Sequence, residues 1–267
     1  MATHIAGWLA KQGCAVMLGD VDRQQSTQSW LRARSPALPP IASWIMDTKN
    51  VLRVPAGISH VVLDTPGGLN GFELARTVML ADAILMPVCD SIFDRNSAAA
   101  CHAELQQLPR ISSGRCKVGA IGMRLDSRTR SSAAMQEWAS AHQIGYIGSL
   151  RDTQNYVRTV ERGMTVFDLS PGMGGIDQQQ WQPILDWLRP ILWPSANQDT
   201  MAPRASAWGA SSVLQRAAQQ RTPLQANAHR PVEPGPVSRV APAIGPAEHT
   251  KPPPPAAQAP AYLRKVV

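Results

Sequence analysis

The sequence predicts an α/β fold: a doubly wound, mostly parallel sheet with helices on both faces, followed by a disordered C-terminal tail. Three observations predict it. Short apolar runs recur without polar alternation, as strands buried on both faces require. Helical patterns separate these runs, as the crossovers of a parallel sheet require. Near residue 195 the composition changes abruptly to proline, alanine, glutamine and serine.

Ala2 to Lys11 reads as a helix with Ile5, Trp8 and Leu9 on one face, closed by Gly13. Ala15–Gly19 is the first apolar strand and ends at Asp20. His60–Leu63 is the second and ends at Asp64. Ala83–Val88 and Val118–Met123 are two more, and Tyr146–Leu150 is a weaker fifth. Helices are expected at Gly71–Leu80, Asn96–Leu108, Ser131–His142 and Gln178–Leu192. In the last of these, Trp181, Leu185, Leu188 and Leu192 recur at helical spacing. These elements make residues 1–194 one domain.

Residues 195–267 hold 12 of the 23 prolines, including Pro252 to Pro255, and eight Lys/Arg against three Asp/Glu. Most of the chain's +7 net charge therefore belongs to this segment. It buries too little apolar surface to offset its chain entropy and is expected to be disordered, with polyproline II character. Only Ala207 to Gln220 has the pattern of a short helix.

Hydrophobic residues at 44% supply a core for the first 194 residues, and aromatics at only 5% make it mainly aliphatic. Cys14, Cys89, Cys101 and Cys116 have neither CxxC nor Cys/His metal spacing, which reads as reduced thiols in a cytoplasmic protein. No run approaches the roughly 20 apolar residues needed to cross a bilayer, and the N-terminus lacks a signal-peptide pattern. The expectation is a soluble protein without a transmembrane segment.

Two acidic groups fall just past strand ends, where open α/β sheets bind ligands. Asp20-Val21-Asp22-Arg23-Gln24-Gln25-Ser26 follows the first strand, and Asp64-Thr65-Pro66-Gly67-Gly68 follows the second. An aspartate after a buried strand, with a glycine turn behind it, has the chemistry of a Walker B element. Its carboxylate holds a Mg²⁺-bound water, and the glycines let backbone amides approach a γ-phosphate. An aspartate that merely caps the next helix of a βα loop has the same local pattern.

Together the two motifs resemble those of the ParA/MinD-type P-loop ATPases. DVDRQQS is similar to the D-x-D-P-Q-x-S element of ParA partition proteins, and VVLDTPGG to their Walker B and switch II. Leu150 to Tyr156, ahead of Glu161-Arg162-Gly163, resembles a late loop and helix of the same family, so the likeness runs from residue 1 to about 193. It implies that Asp22 orients the attacking water and that Asp20 and Gln24 support the nucleotide. It implies that Asp64 holds Mg²⁺ through water, and that Thr65, Pro66, Gly67 and Gly68 sense the γ-phosphate. ATP and Mg²⁺ are the cofactors implied, with a homodimer formed on ATP and released on hydrolysis. The implied role is partitioning of DNA or positioning of another intracellular cargo, through a partner or cargo protein. Arg23 stands where the family has Pro, and Gly122-Met123-Arg124 where it has an Asn-Arg pair.

No GxxxxGK[ST] occurs in the 267 residues. The helix beginning at Met1 resembles the one that follows that loop in the family. By the usual sizes of a strand and the loop, roughly 15 residues or more are expected ahead of it. Met1 then reads as an internal methionine of a longer product, because the alternative deletes a strand central to the family's sheet. A true truncation would leave a nucleotide-free adaptor that keeps the fold and recruits partners through its tail. As it stands the chain is expected to be a poor ATPase.

Arg124, Arg128, Arg151 and Arg158 form two basic segments. They read either as a solvated surface or as a weak non-specific DNA-binding surface of the kind ParA proteins use on the bacterial nucleoid. The terminal Ala261-Tyr262-Leu263-Arg264-Lys265-Val266-Val267 mixes apolar and basic residues. It is similar to the membrane-targeting ends of MinD-like proteins, and a docking peptide for a partner reads the same way.

Overall fold

A computed structural model of the chain describes residues 1–22, 24–45, 54–125, 130–194 and 264–266. Most of the proline-rich tail, its expected helix at Ala207 to Gln220 and Arg128 lie outside the described residues. Residues Met1–Ala196 together with Ala257–Val267 belong to one unit.

The chain opens with α1 (Ala2–Lys11), whose Ile5, Trp8 and Leu9 are buried as their spacing predicts. β1 (Val16–Asp20) is buried throughout and leads to α2 (Ser26–Ala33), β2 (Ile41–Ile45) and β3 (His60–Asp64). Then come α3 (Gly71–Val78), β4 (Ala83–Cys89), α4 (Ile92–Gln106), the single turn α5 (Pro109–Ser112), β5 (Lys117–Met123) and α6 (Arg130–Ala141). β6 (Tyr146–Leu150), α7 (Gln154–Glu161), a 3-10 turn at Val166–Asp168 and α8 (Pro171–Leu192) complete the first 194 residues. A last strand, β7 (Arg264–Val266), comes from the C-terminal end of the sequence.

The sheet runs β2-β1-β3-β7-β4-β5-β6, and every pairing among the described residues is parallel. Successive strand residues serve opposite faces, as the pleat demands. Val16, Leu18, Val62, Ile121 and Leu150 face a core built with α1 and α8, around Leu9, Trp181, Ile184 and Leu188. Ile84, Met86, Val88 and Ala120 face a second core under α3, α4 and α6, around Leu74, Leu105 and Met135. Met17, Val61 and Leu63 form a smaller cluster with Trp44 and Ile58. Helices thus cover both faces. The predicted doubly wound α/β fold is the observed one.

Four elements lie beyond the sequence expectations. α2 is short, with polar residues on most of its surface; Trp30 anchors it in the main core, with Leu31 packed beside it, and donates to the Met164 carbonyl at 3.2 Å. β2 (IASWI) is an edge strand whose Ile41, Ala42 and Trp44 are partly buried, its apolar run broken by exposed Ser43. α5 is one turn. β7 lies within the segment expected to be disordered, and its place is inside the sheet.

Candidate functional site

β1 and β3 lie side by side with Asp20 opposite Asp64, so both acidic motifs leave the same end of adjacent strands. The Val21 amide donates to the Asp64 carbonyl at 2.9 Å and ties the two tips together. Asp20 is only 3% exposed, and its carboxylate is already engaged. It accepts from the Asp22 amide at 3.0 Å, the Thr27 amide at 2.9 Å and the Thr27 hydroxyl at 2.7 Å. These bonds satisfy an otherwise orphaned amide in the first turn of α2 and place a negative charge at its positive end. Asp20 is therefore the clamp that folds the loop. Its neighbour Asp22 is the residue that the clamp positions.

Asp22 is half-buried and accepts from the Gln24 amide at 3.0 Å, an Asx turn that fixes its direction. Gln24 itself is exposed. Asp64 is also half-buried, and burial pushes its carboxyl above the ordinary carboxylate range. The α-amino group of Met1 opposes that rise, while Asp20 and Asp22 add to it. Burial likewise holds the Met1 amine below its usual value, against the pull of Asp64. Three carboxylates sharing one end of two strands repel one another, and a cation is what such an arrangement favours.

Thr65 and Pro66 are half-buried, and Gly67 and Gly68 are exposed. Gly68 has φ +77°, a left-handed conformation that suits glycine, and nothing lies within 4 Å of where a side chain would begin. The turn is held from behind: Asn70 donates to the Gly68 carbonyl at 2.9 Å, and the Gly71 amide donates to Glu104 of α4 at 2.6 Å. Its backbone is thus open to a ligand on one side and anchored on the other.

Two cavities lie along the carboxyl edge of the sheet. One of about 90 Å³ is lined by Met1, Ile5, Leu63, Asp64, Thr65 and Leu85. The other, about 320 Å³, is lined by Met1, His4, Arg124, Arg151, Asp152, Thr153, Tyr156 and Trp181. Met1 borders both. A larger cavity of about 540 Å³ sits at the β6 edge among Ser132, Gln136, Ile176 and Gln180, away from the acidic tips.

The fold is similar to that of a cell division protein. The MinD cell division protein of Aquifex aeolicus is 15% identical, with a TM-score of 0.48, the match covering 70% of this chain and 88% of that one. The MinC:MinD cell division protein complex of Aquifex aeolicus gives 17% identity and a TM-score of 0.46, covering 73% and 89%. Neither likeness is close enough to carry an argument about activity. No family model matches the sequence, and no curated protein matches it.

The metal side of a Mg²⁺–nucleotide site fits the residues present. Asp22 and Asp64 are hard oxygen donors on one edge, and the Thr65–Gly68 backbone is open beside them. Among the described residues no group of three or more His, Cys, Asp and Glu is placed to hold a metal ion. The lysine-bearing glycine loop that binds the phosphates is not among the 267 residues.

The arginines divide. Arg151 is committed to structure, donating to fully buried Asp177 at 2.7 Å. Arg124 has φ +58° at the tip of β5 and is exposed, as is Arg158 on α7. His4, which has no metal-ligand spacing in the sequence, is a core residue: its ring stacks on Trp181 with centroids 5.6 Å apart, and its Nε2 is buried without a hydrogen-bond partner. Its position on the buried face of the first helix was legible, and its neighbours were not. All four cysteines are free, and burial pushes the Cys116 thiol up to about 12, so it is inert. No helix among the described residues is long and apolar enough to cross a membrane.

Proposed function

We propose that this chain is the body of a ParA/MinD-type ATPase, carrying the metal-binding, water-orienting and switch elements of a Mg²⁺–ATP site. One observation carries the reading: Asp22 and Asp64 leave adjacent parallel strands at the same end, beside an open glycine turn. Bound Mg²⁺–ATP supplies the phosphoryl group and the metal's charge. Asp22 would orient the attacking water, held in place by the Asp20 clamp. Asp64 would hold the metal through water. Thr65, Gly67 and Gly68 would present backbone amides to the terminal phosphate, and the 320 Å³ cavity beside Arg124 and Asp152 has the size of a base pocket. ATP would join two copies and hydrolysis would part them, so that the protein moves DNA or another cargo over the nucleoid in the bacterial cytoplasm. Arg124, Arg158 and the basic tail would hold the DNA.

The test compares this chain with a version carrying, ahead of Met1, the in-frame upstream codons and a lysine-bearing glycine loop. The expected result is Mg²⁺-dependent ATP turnover and dimerisation in the loop-bearing form only, with turnover falling about 100-fold in Asp22→Asn. A loop-bearing form that neither binds ATP nor dimerises rejects the proposal.

The place of β7 between β3 and β4 favours a second reading. With its sheet closed from within, the chain would serve as a nucleotide-free adaptor that recruits partners. Wild-type protein with no ATP affinity in either form, yet a stable fold, selects it.

A further inference from the structure

β6 ends the sheet, with β5 on one side and no strand on the other among the described residues. α6 and α8 pack against it, and the cavity of about 540 Å³ lies between these helices at its edge. Pockets that hold small organic ligands span roughly 300–1,000 Å³. The edge itself is irregular. Ala120 of β5 stands opposite Tyr146 and Ile121 opposite Gly148, so Ile147 is an extra residue that bulges the strand. A bulge on an edge strand breaks the ladder that an added extended peptide needs. The cavity therefore suits a compact ligand.

Its wall carries hydroxyls and carboxamides. Ser132 of α6 and Ser149 of β6 line it, only 5% and 9% exposed, and neither hydroxyl bonds another described residue. Tyr146 lines it too, and its Oη is buried without a hydrogen-bond partner. A buried hydroxyl left unpaired costs free energy, which a ligand that pairs it recovers. Gln136 of α6 and Gln179 and Gln180 of α8 add their carboxamides, and Gln180 is fixed by accepting from the Arg151 amide at 3.0 Å. Among the described residues Arg151 is the one charged group on the wall. Its charge is already met by fully buried Asp177, which accepts from its Nε at 2.7 Å. The wall thus offers many donors and acceptors and no net charge.

An ionic ligand would lose hydration there without gaining a counter-charge, and an apolar one would leave the hydroxyls unpaired. We propose that the cavity at the β6 edge binds a neutral, polyhydroxylated small molecule of the size of a mono- or disaccharide. The serine hydroxyls and glutamine carboxamides, each both donor and acceptor, exchange hydrogen bonds with the hydroxyls of the ligand. Ile176 and Pro183 give its C–H face an apolar surface. Three strands separate β6 from β3, so this site stands apart from the acidic tips and needs no ATP.

The experiment titrates the isotope-labelled full chain with glucose, galactose, mannose, maltose, sucrose and trehalose, and follows backbone amide signals by NMR. At least one of these sugars is expected to shift the signals of Ser132, Gln136, residues 148–151 and residues 176–183 saturably. The expected Kd is on the order of millimolar or tighter. Ser132→Ala combined with Ser149→Ala should weaken that binding about 10-fold while the rest of the spectrum is kept. If the double variant does not fold, Gln136→Ala, on the exposed side of α6, decides by a loss of at least about threefold. Shifts that never saturate with any of the six mark a solvent-filled groove and overturn the proposal. So does an affinity unchanged by the substitutions. Tighter binding of glucose 6-phosphate or gluconate than of every neutral sugar overturns the neutral class of ligand.

Discussion

His4 carries the clearest single-residue consequence. Burial, reinforced by the Met1 amine, drives its pKa down to about 3, against an ordinary value of 6.5. The unfolded chain binds a proton that the folded chain refuses. Stability is therefore fully present above pH 6.5 and is lost as the pH falls from 6.5 toward 3, at up to about 1.4 kcal/mol per unit. In His4→Phe, which keeps a ring against Trp181, that slope should vanish. The gap between the urea midpoints of wild type and variant should narrow or reverse between pH 7 and pH 5, and a constant gap refutes the assignment. At this same scale the aspartates were legible as chemistry but not as roles. Asp20 and Asp22 sit two residues apart in one motif, and only the bonds from Asp22 and Thr27 distinguish the clamp from the free carboxylate. From sequence Arg151 reads as a solvated or a DNA-facing charge, because its partner Asp177 is 26 residues away.

Element by element, strands were easier to read than their connections. Tyr146–Leu150 and Ala2–Lys11 have the limits their patterns predict, because burial on a sheet and an amphipathic stripe both print directly onto sequence. α8 begins at Pro171, seven residues ahead of expectation: its first turns (PGMGG) look like a loop, and only Gly174 there is buried, while Asn155 donates to the Met173 carbonyl at 2.9 Å. The contact of α2 with the end of α7 shows the same limit. Gly163 has φ +65°, and a Cβ there would lie 2.3 Å from the Arg34 amide nitrogen. Arg34 in turn donates to the Gly163 carbonyl at 3.1 Å and pairs at 3.5 Å with buried Asp168. Gly163→Ala should cost at least about 2 kcal/mol in chemical denaturation, because the obstacle is backbone and cannot rotate away. Gly13→Ala, at φ +80° in open space, should cost only about 1 kcal/mol. Equal losses would mean that the close approach of the two helices is not what fixes Gly163.

For the whole molecule, charge and topology separate. Residues 1–194 are nearly neutral, and the basic excess lies in 195–267. If the protein holds DNA, the contact is made to phosphates and must weaken with salt. A footprint of three phosphates loses about 40-fold in affinity between 50 and 200 mM salt. Gel-shift titrations of the full chain across that range provide the check, and a flat response removes DNA from the proposed function. Topology decides something that charge does not: which strand stands at the centre of the sheet.

The sequence by itself determined the fold class, the order of the main strands and helices, and the two acidic motifs at strand ends. It could do so because burial on both faces, helical periodicity and turn chemistry act between residues close together in the chain. Tertiary structure alone decided that Asp20 opposes Asp64, that Asp20 is consumed as a clamp, and that Arg264–Val266 enters the sheet between β3 and β4. Those outcomes depend on backbone groups finding partners across long sequence separations. A three-residue strand carries no periodicity by which its partner could be foretold.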